Sequence, residues 1–402
     1  MAENLDACVD DALAHVRFLA GQIGGRGSCT AEERRAAEYA AAEMRRLGAG
    51  RVAVEPFLAG PSTYRPFALA FGAALLGTLI AWLLGGRWAL AVAALLSGLG
   101  AGGMLAETDL AGNWMRRLLP RRPSQNAVGV LPPADEVRQR AVLCAHLDSH
   151  RTPVLYSSPA WHRAFGLLVG GALASMVVAA LVYVLGALLG WEWVRWLGLV
   201  AAAVQISALG LCLHADATPF SPGANDNATG AGVALALARR LAEQPLRHTE
   251  VWLALTGCEE VGARGMAAFL DAHAEELGPE AVYLILDEVG AGRQGYLTAD
   301  GLVRKRPTHP RALALARRAT AALDEVQVAE RVGIAYTDAL AATRRGLVAL
   351  TVVALPVRDE EAGTHWHQMS DTVDQLDPGS LADVCAFAWQ VLHETDGDVP
   401  EV

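Results

Sequence analysis

The residues best suited to chemistry are carboxylates and imidazoles placed at the ends of short apolar runs. The run Ala141–Ala145 ends in His146-Leu147-Asp148-Ser149. An imidazole with a carboxylate two residues on suits a metal ligand and the group that orients it, because a metal-bound histidine usually donates its second ring N–H to such a partner. The loop Pro222–Gly230 wedges Asp226 between Asn225 and Asn227, directly before a helical stretch. Turn and cap chemistry accounts for one Asp or Asn there. A carboxylate held between two Asn in a Gly-bounded loop also suits a bridging ligand. Downstream, VWLAL-Thr256-Gly257-Cys258 ends in the pair Glu259-Glu260. Neighbouring side chains at a strand end point in different directions, so one can bind a metal while the other reaches the water on it. Taken alone, the pair would equally serve a helix N-terminus. The run AVYLIL ends in Asp287-Glu288, and His365-Trp366-His367 precedes Asp371-Thr372 in a loop before the last helix. Oxygen and imidazole donors without cysteine suit zinc, or a similar divalent ion, with coordination positions left open.

Elements that could hold these residues can be read from periodicity. Residues 4–20 and 31–47 have helical spacing, and Ser28/Thr30 with Glu33 resembles a capping box. β-rich runs are expected at 51–57, 127–131, 141–145, 250–255, 282–286 and 347–355. Helices are expected between them at 229–243, 262–276, 309–323, 336–345 and 380–393. Such alternation predicts an α/β domain with a mostly parallel mixed sheet flanked by helices. Sites in such sheets form at the carboxyl ends of the strands, where the polar clusters fall.

The 402 residues are 53% hydrophobic and only 19% charged, and the apolar excess concentrates at 66–106 and 164–213. Arg65 to Arg87 encloses an uncharged run long enough to cross a bilayer core as helix. Three more runs follow, at 88–106, 164–190 and 196–213. Tryptophans at or near the run ends (Trp82, Trp88, Trp114, Trp161, Trp191, Trp193 and Trp196) suit interfacial anchors. The expected organisation is one discontinuous domain (1–64, 107–160 and 214–402) interrupted by transmembrane hairpins at 65–106 and 161–213, with the lipid bilayer as a partner. Arg65, Arg116, Arg117, Arg121, Arg122, Arg151 and Arg163 outnumber Arg87 and Arg195 at the hairpin tips. The positive-inside rule then places the hydrophilic domain in the cytoplasm. The acidic start MAENLDACVDDALAH has neither the basic start nor the apolar run of a secretory signal. A net charge of −10, without a clustered Lys/Arg stripe, argues against nucleic acid. Six cysteines without CxxC spacing suggest reduced, buried thiols.

The ordered set AHLDS, GANDNATG, CEEVGARG, LD and H-x-x-x-DT, together with Ile23-Gly24-Gly25-Arg26, resembles the co-catalytic di-zinc exopeptidase family that includes bacterial leucyl-type aminopeptidases and glutamate carboxypeptidase. The resemblance covers nearly all of the hydrophilic sequence. It implies two zinc ions per chain, with Asp226 bridging them, Glu260 and His367 completing one site, and His146 and Asp287 the other. Glu259 would be the general base and Asp148 would orient His146. The implied reaction is hydrolysis of a peptide substrate, most simply by an aminopeptidase. A related amidohydrolase or glutaminyl cyclase-like enzyme, a non-catalytic receptor or scaffold, and a transporter are the alternatives. Two departures stand out. Gln368 follows the last histidine where the family often has Thr, and His365 lies close by; His367 is preferred because it keeps the spacing to Asp371-Thr372. Oligomeric state is not legible in the sequence.

Overall fold

The computed structural model describes residues 2–323, 325–355 and 365–398. The chain separates into two units: residues 1–61, 122–151 and 219–402 form the first, and 62–121 with 152–218 form the second.

Among the described residues the first unit is built on nine strands: β1 (Gly50–Ala59), β2 (Arg122–Leu131), β3 (Gln139–His146), β4 (Thr249–Thr256), β5 (Val282–Leu286), β6 (Arg293–Asp300), β7 (Arg306–Pro307), β8 (Ala329–Val332) and β9 (Val348–Leu355). Their order is β1-β2-β4-β3-β5-β9-β6-β7, with β8 beside β6. The centre, β4-β3-β5-β9, is parallel. Antiparallel pairs flank it on both sides, β1-β2 and β2-β4 on one, β6-β9 and β6-β7 on the other. The central strands are buried on both faces, as parallel sheets require, and so read as continuous apolar runs such as AVLCA and VYLIL. The edge strands β6 to β8 went unpredicted. Their sequences are polar and interrupted by Gly295 or Pro307, and they owe their strand conformation to pairing with β9 and each other.

Helices cover the sheet. In chain order they begin with α1 (Ala2–Val16), extended by a wide turn over Arg17–Ile23, and α2 (Ala31–Arg46). Thr30 caps α2 by accepting from Glu33 N–H. The expected reciprocal bond goes one residue further back, to Cys29 N–H at 2.9 Å. The helices α3 (Tyr64–Leu84), α4 (Gly86–Thr108), α5 (Trp114–Leu118), α6 (Pro159–Leu189) and α7 (Val194–Ala217) belong to the second unit. The chain then returns to the sheet with α8 (Gly230–Glu243), α9 (Arg264–Leu277), α10 (Pro310–Ala321), α11 (Asp338–Thr343) and α12 (Pro378–Gly397). One core joins α1, α2, α8, α10 and α12 to the sheet through residues such as Met44, Leu143, Leu237, Leu284, Leu315 and Phe387.

In the second unit α3, α4, α6 and α7 have mean hydropathies of 2.2, 1.9, 2.5 and 2.0, and each is long and apolar enough to cross a membrane. Small residues bring them together. A Cβ on Gly198 would lie 1.7 Å from the Tyr183 hydroxyl, which itself donates to Thr78 Oγ1 at 2.9 Å. Charged residues pair at the helix ends, Arg65 with Asp216 at 2.8 Å and Arg116 with Glu107. Leu83, Leu84, Trp88, Leu167, Leu188 and Val200 are exposed, an outer surface that suits hydrocarbon better than water.

Each excursion into the second unit starts and finishes at paired residues of the first. Ala59 and Arg122 face each other at the end of the β1-β2 ladder. Arg151 and Phe220 form an antiparallel bridge, with the guanidinium 4.3 Å above the phenyl ring.

Candidate metal centre

The carboxyl ends of β3, β4 and β5 and the loops before α8 and α12 converge on one buried cluster. His146 is the last residue of β3; Glu259-Glu260 follow β4 and Asp287 follows β5. Asp226 lies in the turn Ala224–Thr229, and its peptide bond to Asn227 is cis. His367 precedes α12. All of these side chains are buried, as is Asp148.

Asp226 sits in the middle. Its Oδ1 is 3.2 Å from His146 Nε2, which is also 3.3 Å from Asp287 Oδ1. Its Oδ2 is 3.0 Å from His367 Nε2, which is 3.6 Å from Glu260 Oε2. One carboxylate thus presents an oxygen to each of two imidazole–carboxylate pairs. Burial and mutual charge set the proton affinities. Burial alone would raise the Asp226 carboxyl, but hydrogen bonds with His146 and His367 hold it below the ordinary carboxylate range. Burial opposes protonation of His146, yet Asp287's charge and hydrogen bonds to its acidic neighbours outweigh it and raise that imidazole well above its usual value. Glu259 and Glu260 are raised well above theirs, first by burial.

The surrounding loops explain the remaining polar residues. Asn227 Nδ2 donates to Leu286 O at 2.8 Å, and its Oδ1 accepts from Gly230 N–H at 3.0 Å. Asn225 Oδ1 accepts from Gly290 N–H at 2.7 Å. The two Asn therefore tie the Asp226 loop to the end of β5. Asp371 accepts from the N–H groups of Asn225 and Asp226 at 2.7 and 3.1 Å. Asp148 differs from expectation. His146 Nδ1 meets the Asp148 main-chain carbonyl at 3.0 Å, while the carboxylate lies 3.7 Å from that nitrogen. The carboxylate instead accepts from Glu259 N–H, Glu260 N–H and Ser28 Oγ at 3.0, 3.2 and 2.7 Å. Two backbone donors and a hydroxyl share its two carboxylate oxygens, so Asp148 holds both the imidazole and the Glu-Glu turn.

Three supporting residues went unnoticed or undervalued in the sequence. Arg26 is fully buried and donates to the carbonyls of Leu19, Gly24, Leu147, Pro222 and Gly223. It thereby staples the His146 and Asp226 loops together; only its place beside Gly24-Gly25 hinted at that. Arg26→Ala leaves several buried acceptors unsatisfied, and a loss of more than about 3 kcal/mol is expected in denaturant unfolding of the purified chain. His150 stacks on His367, ring centroids 3.6 Å apart and 18° from parallel, and Trp366 stacks on it at 4.2 Å. An isolated His carries no sequence signal for that role.

Glu33 is the third. Its carboxyl accepts from Cys29 N–H, Cys258 N–H and Ser124 Oγ, each at 2.9 Å. Burial, then Asp148's charge, pushes it up to about 8, against those hydrogen bonds. The folded chain therefore keeps a proton that the unfolded chain releases near the ordinary glutamate value. This contribution to stability declines as pH rises between those two values. Glu33→Gln should flatten that decline, read as a smaller fall in Tm between about pH 5 and about pH 9.

The backbone is strained around the cluster. Cys258, Glu288 and His367 are non-glycine residues with φ of 56°, 52° and 53°, a region that L residues enter at a cost. A divalent cation fits the site. Five acidic or imidazole groups are packed together, and Glu259 Oε1 and Glu260 Oε1 are buried with no hydrogen-bond partner among the described residues. Two groups of three, His146/Asp226/Glu260 and His150/Glu260/His367, bring donor atoms within 4.8 Å of one another.

Residues 203–392 match the family model "Peptidase family M28". The "Probable lipoprotein aminopeptidase LpqL" of Mycobacterium tuberculosis is 25% identical over 193 residues, 42% of this chain and 38% of that protein. Aminopeptidase YwaD of Bacillus subtilis is 42% identical over 78 residues, 19% of this chain and 17% of that one. The matches thus span well under half the length of either relative. Among solved structures, BSAP, a zinc aminopeptidase from Bacillus subtilis, superposes with a TM-score of 0.57 at 16% identity, covering 96% of this chain and 95% of that one. A glutaminyl cyclase from Bacteroides thetaiotaomicron gives 0.54 at 15% identity, covering 96% and 97%. The fold is thus one that zinc aminopeptidases and glutaminyl cyclases share, and residues 203–392 of the chain are similar to peptidase family M28.

Proposed function

We propose that the chain is a membrane-anchored aminopeptidase that holds two zinc ions through His146, Asp226, Glu260, Asp287 and His367. The observation that carries this is the position of Asp226, one oxygen toward His146 and Asp287 and the other toward His367 and Glu260. His146 and Asp287 would hold one ion, Glu260 and His367 the other, with Asp226 shared. When bound, the ions would lower the pKa of a water and polarise the substrate carbonyl. The chain's own residues do the rest. Glu259 takes the proton from the attacking water and returns it to the leaving amine. The raised proton affinity of its buried carboxyl suits that exchange. Asp148 keeps Glu259 and Glu260 in register through their backbone N–H groups.

The four apolar helices would anchor the enzyme as two hairpins. Arginine placement puts the sheet unit on the cytoplasmic side. Accessibility labelling of single cysteines placed at Arg87 and Arg195 in intact cells tests this; labelling from the cytoplasm alone would reverse the topology.

Detergent-purified protein, loaded with zinc and freed of excess metal, should carry two zinc ions per chain and release the first residue from unblocked peptides. Release of ammonia from N-terminal glutaminyl peptides, with no hydrolysis, would move the assignment to cyclase chemistry. A metal-free, inactive protein would sink it.

A further inference from the structure

Outside the metal centre, two thiols meet. Cys29 Sγ and Cys258 Sγ are 3.5 Å apart. Cys258 is wholly buried, whereas Cys29 is partly exposed, contrary to the expectation that all six thiols are buried. The two residues sit on separate segments that one group holds together, since both backbone N–H groups donate to the Glu33 carboxyl. Both have left-handed backbone, φ 61° and 56°, which turns their side chains into the same small apolar cluster with Ala59 and Val261. Neither belongs to a group of residues able to hold a metal among those described. The contact lies next to the Glu259-Glu260 turn, because Cys258 immediately precedes it. Cys29 lies between Ser28, which donates to Asp148, and Thr30, the cap of α2.

We propose that Cys29 and Cys258 form an oxidation site, closed to an intramolecular disulfide by hydrogen peroxide, and that the bond clamps the Glu259-Glu260 turn to the start of α2. The partly exposed Cys29 reacts first. Its thiolate attacks one peroxide oxygen, the O–O bond breaks, and the departing hydroxide is protonated to water, leaving Cys29 as the sulfenic acid. The Cys258 sulfur then attacks Cys29 Sγ and forms the S–S bond. The sulfenic hydroxyl leaves and takes up the Cys258 proton as a second water. Two thiols lose two electrons and two protons, and one peroxide becomes two waters. A disulfide is about 2.05 Å long, so the sulfurs need to approach by about 1.5 Å. A dithiol reductant reverses the bond by exchange.

The test uses the full chain in detergent, freed of reductant and treated with stoichiometric hydrogen peroxide. Remaining thiols are then alkylated and the protein is digested for mass mapping. The expected product is one joined peptide pair containing Cys29 and Cys258, which separates with dithiothreitol. In the same oxidised sample, backbone amide exchange over residues 257–262 should slow several-fold relative to the reduced protein. Cys29→Ser, which alters the partly exposed member and leaves the core residue in place, should show neither effect. Full alkylation of both thiols after peroxide, or a Cys29 sulfinate without a link, would overturn the site. A link that leaves exchange over 257–262 unchanged would overturn the clamp. None of these readouts needs zinc or hydrolysis, so failure here is distinct from failure of the proposed activity.

Discussion

Replacing Glu259 by glutamine is expected to leave two zinc ions in place and to lower turnover by about 10²–10⁴-fold, the scale of a lost general base. Glutamine has nearly the same shape, so the Glu259 N–H bond to Asp148 and the strained turn at Cys258 have no reason to change. What changes is chemistry at Glu259 Oε1, which is buried without a partner among the described residues. A carboxylate there can accept a proton from water and give it back, whereas an amide can do neither. The metal ligands proposed here are other residues, so zinc content should match the parent. The deficit should appear in kcat more than in KM, because the lost interaction belongs to the transition state. Parental turnover in this variant would remove Glu259 from the mechanism. Loss of zinc would instead make it a ligand.

Asp226→Ala should have the opposite profile. Removing this side chain takes away the carboxylate whose two oxygens lie 3.2 Å from His146 Nε2 and 3.0 Å from His367 Nε2. Each remaining pair, His146 with Asp287 and His367 with Glu260, then has too few donors to hold zinc against a chelator. The variant should carry well under one zinc per chain after dialysis. It should also lose the stabilisation that zinc confers on the parent, about 2.7 kcal/mol at a free zinc concentration one hundred times Kd. Calorimetry with and without added zinc reads this directly. A zinc-dependent rise in Tm equal to the parent's would show that Asp226 does not bridge.

The sequence disclosed the centre of the molecule better than its margins. The strands that lead to His146, Glu259 and Asp287 are buried on both faces, so burial writes itself into their composition as largely apolar runs. The ligand candidates follow those runs directly, which is why type and position could be read together. The β6 to β8 region is different, because its conformation comes from partners distant in sequence and β8 stays largely exposed. Long-range hydrogen bonding is likewise silent. Nothing near Asp148 announces that its carboxylate serves residues 259 and 260. Glu33 looked like a helix cap and proved also to bind Cys258 N–H, 225 residues away. Local chemistry is written locally; a carboxylate's distant partners appear only once the chain is folded.

The pairs Ala59/Arg122 and Arg151/Phe220 have an engineering consequence. Each apolar excursion begins and ends at a closed seam of the sheet unit, so it behaves as a removable cassette. Excising one and bridging the seam with a short turn would leave the flanking strand pairing untouched. Adding one is also cheap, since each doubling of a loop costs only about 0.6 kcal/mol in closure entropy. A lineage could therefore gain or shed these apolar helices without redesigning the metal-centre loops. The same two seams are where a biochemist would cut to obtain the sheet unit without its apolar helices.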